Sequence, residues 1–287
     1  NLKTLLQHAV QVAPLASWGS FAALLAEIAL DYTTLEPLPV NTGGAFLLKA
    51  TQEDAGGTHP FILKILLENP IPEDDLKGMR TLGKLFHAHD NIMNFNVLNY
   101  RGWHVLQMEQ CNRDVFTIVK FADNAHSLLR EGADIYFDRW QQRQGLYKQL
   151  SKESVEKIYK GMLTAVEALH AANYYHGDLK VEQFLHCGHG PESTIQLTDY
   201  ESAHYWDRDY RYYRLNEKML HKKCYGPFTF PKLMSEEQFR KYFHKFRLQV
   251  YAAFESVEAR GVPHAKKVWC AAWVAHDKFM LGQIQLV

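Results

Sequence analysis

The hydrophobic period of this chain changes once along its length, and that change restricts the fold more than any other feature. Between residues 36 and 110 apolar residues come in short runs separated by turn signals. Asn41-Thr42-Gly43-Gly44 precedes the run Ala45 to Ala50; Asp54-Ala55-Gly56-Gly57 then leads into Phe61-Ile62-Leu63-Lys64-Ile65-Leu66. Strand, turn, strand predicts an antiparallel hairpin. Asn94 to Tyr100 and Trp103 to Met108 repeat the pattern around Arg101-Gly102. One helix interrupts, over 72–89, with Leu76, Met79, Leu82, Leu85 and Phe86 on one face. Beyond residue 110 the spacing is helical. Val155, Ile158, Tyr159, Met162, Val166 and Leu169 mark an amphipathic helix over 152–172, and the tail 235–287 is helical again. Only Gln183 to His186 and Ile195 to Thr198 read as strands there.

This order predicts an α+β fold of two lobes: a small β-rich N-lobe over 36–110 and a trimmed helical C-lobe over 111–287. Residues 1–35 read as an N-terminal helical extension, and 121–150 as a helical insertion. A length of 287 residues fits one two-lobed unit or two small domains. With 47% hydrophobic and 22% charged residues the chain is not a disordered one. Thirty-two basic residues balance thirty-two acidic ones, so net charge does not select a nucleic-acid partner. No apolar run is long enough for a membrane span. Cys111, Cys187, Cys224 and Cys270 are scattered without a CxxC pair, so a disulfide scaffold or zinc ribbon is not expected and a cytoplasmic, reducing location is.

The chemistry concentrates in His176-Gly177-Asp178-Leu179-Lys180-Val181-Glu182-Gln183-Phe184-Leu185, followed by Ile195-Gln196-Leu197-Thr198-Asp199-Tyr200-Glu201. Two carboxylates, Asp178 and Asp199, stand at the ends of adjacent short elements. Lys180 follows the first by two residues and the Gln183 amide by five. Phosphoryl transfer needs this combination. One carboxylate orients or deprotonates the accepting hydroxyl, hard oxygens hold a metal on the phosphates, and a lysine neutralises charge on the transferred group. His176 reads as a structural histidine of the loop rather than as a base.

The stretch resembles the catalytic loop and metal-binding segment of the protein-kinase-like superfamily, whose pattern is H-x-D-L-K-x-x-N followed by D-F-G. The resemblance spans about residues 36–235 and implies ATP with Mg2+ or Mn2+ as cofactors. It implies Asp178 and Lys180 as catalytic residues and Asp199, Gln183 and Glu201 as metal ligands. It implies Lys64 on the nucleotide phosphates, Gly43 and Gly44 in the phosphate loop, and Met108, Glu109 and Cys111 in the hinge that meets adenine. This chain departs from the pattern in several places. Gln183 replaces asparagine, Tyr200-Glu201 replaces Phe-Gly, and Arg80 falls where a helix glutamate is expected to meet Lys64; Glu73, Asp74 or Asp75 serves only in a shifted helix. No A-P-E follows. An atypical protein kinase acting on Ser, Thr or Tyr hydroxyls is therefore expected, with a protein substrate favoured by Lys180. Such compact, divergent chains resemble kinases that bacteria deliver into host cells. The alternatives are a small-molecule or glycan kinase of the same superfamily, and a pseudokinase that only binds.

Residues 207–250 carry eleven Lys/Arg against five acids. Phe239, Phe243, Phe246, Val250 and Phe254 mark a core face there. Arg240, Lys241, Lys245 and Arg247 form a basic face, read as solvated or, more sharply, as a site for a phosphorylated or anionic activator.

Overall fold

The computed structural model describes residues 5, 7, 18–38, 45–67, 71–111, 113–114, 152–180, 183–187, 193–216 and 235–284. The expected phosphate loop with Gly43 and Gly44, the expected insertion at 121–150 and Cys224 lie outside these residues. The fold is mixed α+β, with six helices among the described residues. The chain divides into two compact units, Asn1–Cys111 and Asn112–Val287.

The first unit is a five-stranded antiparallel sheet with a helix on each face. Its strands are β1 (Thr34–Pro37), β2 (Ala45–Asp54), β3 (Gly57–Leu66), β4 (Phe95–Tyr100) and β5 (Trp103–Glu109), in the order β1-β2-β3-β5-β4. Helix α1 (Trp18–Asp31) precedes β1 and α2 (Glu73–Leu85) precedes β4. Both hairpin turns follow from local chemistry. Asp54 pairs with Gly57, and the Gly56 amide donates to Asp54 Oδ1 at 2.6 Å. Arg101 and Gly102 both take positive φ, 51° and 82°, as a two-residue turn of matching twist requires. The β2–β3 hairpin is longer than its apolar runs, because the outer residues pair on an exposed, polar stretch.

Strand alternation assigns the two faces. Phe46, Leu48, Leu63, Ile65, Trp103 and Val105 bury against Phe21, Leu24, Leu25 and Ile28 of α1. Phe21 meets the Phe46 and Trp103 rings edge-on, each at 5.6 Å. The helical extension is thus one wall of this unit's core. Arg101 donates to Glu27 and Tyr100 to Asp31, fastening the β4–β5 turn to the same helix. On the other face α2 packs on β4 so closely that a Cβ on Gly83 would lie 2.8 Å from the Phe95 carbonyl.

The second unit pairs a small sheet with helices. Strands β6 (Arg113–Asp114), β7 (Phe184–Cys187) and β8 (Thr194–Leu197) are antiparallel in that order. Helix α3 (Lys152–Ala171) lies on β8, where a Cβ on Gly161 would meet Ile195 Cβ at 2.8 Å. It ends at Asn173, left-handed at φ 60°, with Tyr174 N–H on Leu169 O and Asn173 N–H on His170 O. Helix α4 (Trp206–Leu215) follows the sheet. Helices α5 (Glu236–Arg260) and α6 (Val262–Gly282) form a hairpin through Gly261 at φ 79°. Ser235 and Gln238 cap the start of α5 reciprocally. The core of this unit is aromatic: Trp206, Phe246, Phe254, Trp269 and Trp273, joined by Tyr175.

Cysteine usage departs from expectation. Cys111 and Cys187 are each disulfide-bonded, while Cys270 is a thiol. Spacing along the chain carried no sign of this, since disulfide geometry is set by the fold and not by separation in sequence. No helix among the described residues is long and apolar enough to cross a membrane.

If α1 is a wall of the first unit, Phe21→Ala costs about 3–5 kcal/mol, read as a lowered urea midpoint. An unchanged midpoint would show that the helix is dispensable.

Candidate functional site

In the second unit the chain leaves α3, turns at Asn173 and runs through an isolated bridge, Tyr175 with His204. The residues after that bridge are held almost entirely by their backbones. Asp277 of α6 is fully buried and accepts the His176 N–H at 2.9 Å on one oxygen and the Gly177 N–H at 2.8 Å on the other. The first oxygen also meets His170 Nε2 of α3 at 2.9 Å. Burial alone would push this carboxyl up. The hydrogen bond from His170 and the neighbouring imidazoles of His170, His276 and His176 outweigh it and hold Asp277 below the usual carboxylate range.

Gly177 is the one residue type that fits its place. Its φ is 81°, and a Cβ there would lie 2.6 Å from His204 Cδ2 and 2.9 Å from Trp273. His204 stacks on Trp273 at 3.9 Å and meets Asp209 Oδ2 at 3.0 Å. Arg208 closes that group, donating to Asp209 Oδ1 and to the Ser202 carbonyl, both at 3.2 Å. The segment after Asp199 is thereby packed under the loop that carries Asp178.

His176 is the tie between the two candidate carboxylates. The Asp178 amide lies 3.4 Å from its Nδ1, and its Nε2 lies 3.2 Å from the carbonyl of Thr198, the residue before Asp199. A carbonyl only accepts, so Nε2 carries the proton and Nδ1 is the acceptor. The structural reading of His176 therefore describes its contacts. Asp199 sits at φ 61°, a left-handed conformation that a non-glycine residue adopts at a cost. Lys180 Nζ is 3.8 Å from Asp178 Oδ2, with both side chains about one-third exposed. Gln183 is buried; its Oε1 accepts the Lys180 N–H at 3.1 Å, and its own carbonyl accepts the Thr198 N–H at 2.8 Å. The amide thus braces the loop from inside. Glu201 is half-buried in the turn that follows Tyr200.

Lys64, Met108, Glu109 and Cys111 belong to the first unit. Lys64 pairs with Leu47 and Leu106 in register and lies on the face opposite the buried Leu63 and Ile65. Helix α2 shares that face: burial, then the Arg80 guanidinium, push His104 of β5 below the ordinary imidazole range. Arg80 itself lies 3.7 Å from Glu73. Met108 and Glu109 end β5, and the Cys111 sulfur is engaged in its disulfide. On α5, Arg240 pairs with Glu236 and Lys241 with Glu237 at 2.7 Å, one turn away in each case. Among the described residues no group of three or more His, Cys, Asp or Glu is arranged to hold a metal.

Sequence reasoning missed the anchors: His170, His204, Asp209, His276 and Asp277. The signal lay in the apolar stripe of α6. Ala265, Trp269, Ala272, Trp273 and Met280 bury one face, and His276 and Asp277 continue that face. Polar groups at core positions need partners and mark a built network.

No protein-family model and no curated protein matches the chain. Among solved structures, the yeast RNA Pol II CTD kinase CTDK-1 complex is similar over 56% of this chain and 43% of that chain, at 16% identity and a TM-score of 0.38. This chain therefore spans less than half of that structure's chain, and a likeness at this level decides neither fold nor activity.

His276 offers a direct test of the buried network. Burial pushes its pKa down to about 4, against partial opposition from Asp277 and the Gly177 carbonyl. An unfolded chain protonates this imidazole near pH 6.5, so between that value and about 4 the unfolded state binds a proton that the folded state does not. The associated stability is complete above pH 6.5 and declines as pH falls towards 4, by roughly 3 kcal/mol in all. His276→Gln removes the titrating group, so its urea midpoint should change less than the wild-type one between about pH 7 and 4.5. Equal changes would refute a buried neutral imidazole.

Proposed function

We propose that the chain is an ATP- and metal-dependent phosphotransferase of protein-kinase-like type, with a protein hydroxyl as acceptor. The observation that supports this best is the double reach of His176, which couples the Asp178 amide to the carbonyl preceding Asp199. Two carboxylates with different tasks need a fixed separation, and one buried imidazole bracing both segments supplies it.

In this reading Asp178 meets the acceptor hydroxyl and takes up its proton, and Lys180 beside it neutralises the transferred phosphoryl group. Lys64 binds the nucleotide phosphates, with Gly43 and Gly44 in the phosphate loop. Met108, Glu109 and the Cys111 backbone receive adenine. The hard oxygens of Asp199 and Glu201 suit Mg2+ or Mn2+. Gln183 suits the ion less well, because its oxygen is committed to the Lys180 amide. The ion would supply positive charge against the phosphates. The Lys180–Asp178 pair favours a protein hydroxyl over a small alcohol. Because Arg240 and Lys241 are matched on their own helix, no anionic activator is proposed for that face.

The test is incubation with γ-labelled ATP and Mg2+ or Mn2+, alone and with cell lysate, beside Asp199→Ala. Label on protein that falls to background in the variant is the expected result. ATP consumed without labelled protein would replace the protein acceptor with a small-molecule one. A wild-type chain that consumes no ATP, or an Asp199→Ala chain that still transfers label, would overturn the assignment.

A further inference from the structure

The peptide that joins Gly177 to Asp178 has no stiffness of its own on the glycine side, since glycine lacks the Cβ that restricts φ and ψ. Its orientation must come from outside the loop. From α6, His276 holds this peptide by its carbonyl, and Asp277 holds the peptide before it. Asp277 takes the Gly177 N–H, and His276 Nε2 lies 2.9 Å from the Gly177 carbonyl. The same peptide's N–H, on Asp178, faces His176 Nδ1. A rotation of this plane would swing the Asp178 side chain away from its aim.

The proton positions on His276 follow from its partners. The Gly177 carbonyl only accepts, so Nε2 carries the proton and Nδ1 is an acceptor. Tyr242 of α5 has its hydroxyl 3.1 Å from Nδ1. The chain of donors therefore runs from the Tyr242 hydroxyl to His276 to the Gly177 carbonyl; the carbonyl sets the tautomer, and the hydroxyl satisfies the Nδ1 that this tautomer leaves bare. His276 is fully buried, between Phe246, stacked at 4.3 Å, and Trp273, edge-on at 5.8 Å. The titratable and charged groups around it are Asp277, His204 and Tyr242.

We propose that His276 is a positioning residue for Asp178, acting as a neutral Nε2–H donor whose Nδ1 accepts from Tyr242. This rests on the reading of Asp178 as the group that meets the acceptor hydroxyl. A merely space-filling role is separable from it. His276→Phe keeps an aromatic ring against Phe246 and removes the donor. His276→Gln keeps an N–H donor and removes the ring, and Tyr242→Phe removes only the hydroxyl.

The experiment measures ADP release from ATP with Mg2+ or Mn2+, and the ring-nitrogen NMR shifts of 15N-labelled histidine, in wild type and the three variants. His276→Phe should lower kcat about 100-fold while KM for ATP stays within about twofold. His276→Gln should recover at least about tenfold of that loss. Wild-type His276 should show a protonated Nε2 and a bare Nδ1, with the Nδ1 signal moving in Tyr242→Phe. A kcat for His276→Phe within about threefold of wild type, or equal loss in the Gln and Phe variants, overturns the proposal. So does an Nδ1–H tautomer. Should His276→Phe fail to fold, the Gln variant and Tyr242→Phe decide by the same criteria. A wild-type chain that consumes no ATP removes the phosphotransfer reading and this role together. An active wild type with an indifferent His276 removes this role alone.

Discussion

A carboxylate with no access to water holds the second unit's loop in place. Placing Asp277 in the interior would cost several kcal/mol if it were unpaired. Three donors on different elements meet it: two successive backbone amides at His176 and Gly177, and the His170 ring from α3. Each is needed by the others. The amides precede a left-turning glycine and have no strand or helix to satisfy them, and the carboxylate has no water. The bonds that satisfy both bind α3, the Asp178 loop and α6 into one object. A loop is ordinarily the least ordered part of a fold. Here it is anchored to a buried charge.

The rest of the arrangement follows from the glycine that Asp277 holds. With no side chain at position 177, His204 and Trp273 close over the backbone within van der Waals contact. His204 is the partner of Tyr175 in the bridge, so the strand-like entry to the loop and the segment after Asp199 are brought together by the same contact. Asp209 and Arg208 then hold His204 from the side away from the glycine. The loop is defined by polar bonds from below and by aromatic packing alongside. Neither would suffice: aromatic contacts tolerate sliding, whereas hydrogen bonds to the amides fix the peptide planes.

What could be read from the sequence was what depends on neighbours in the chain. The strands from Ala45 to Leu66 and from Phe95 to Glu109 announced themselves by Asp-Ala-Gly-Gly and Arg-Gly turns, because a hairpin is a local structure. The helix over Lys152–Ala171 did so by its period. Asp178, Lys180, Gln183 and Asp199 were legible as a constellation because they lie on one short stretch. His276 and Asp277 were not, since about a hundred residues separate them from the amides they meet. Gln183 illustrates a subtler gap. Its amide chemistry was visible, but the direction of its oxygen onto Lys180 is a property of the folded loop. That Cys111 and Cys187 are disulfide-bonded is illegible for the same reason as Asp277.

Distance along the chain also hides what the C-terminal hairpin does. Its sequence reads as two amphipathic helices whose task is to bury aromatics, and Trp269, Trp273 and Phe246 do that. Yet a stripe of apolar side chains would bury as well with leucine at 276 and 277, and the hydrophobic term alone favours such a replacement. A histidine in its neutral form and an ionised aspartate stand there instead, and all three of their hydrogen bonds to the Asp178 loop are to backbone atoms of residues 176 and 177. Backbone contacts are indifferent to the identity of the loop's side chains, so this clamp constrains the path of the chain and leaves Asp178 and Lys180 each about one-third exposed. That use of buried ionisable groups, whose hydrogen bonds go to loop backbone, is what separates this hairpin from a helix pair that merely completes a core.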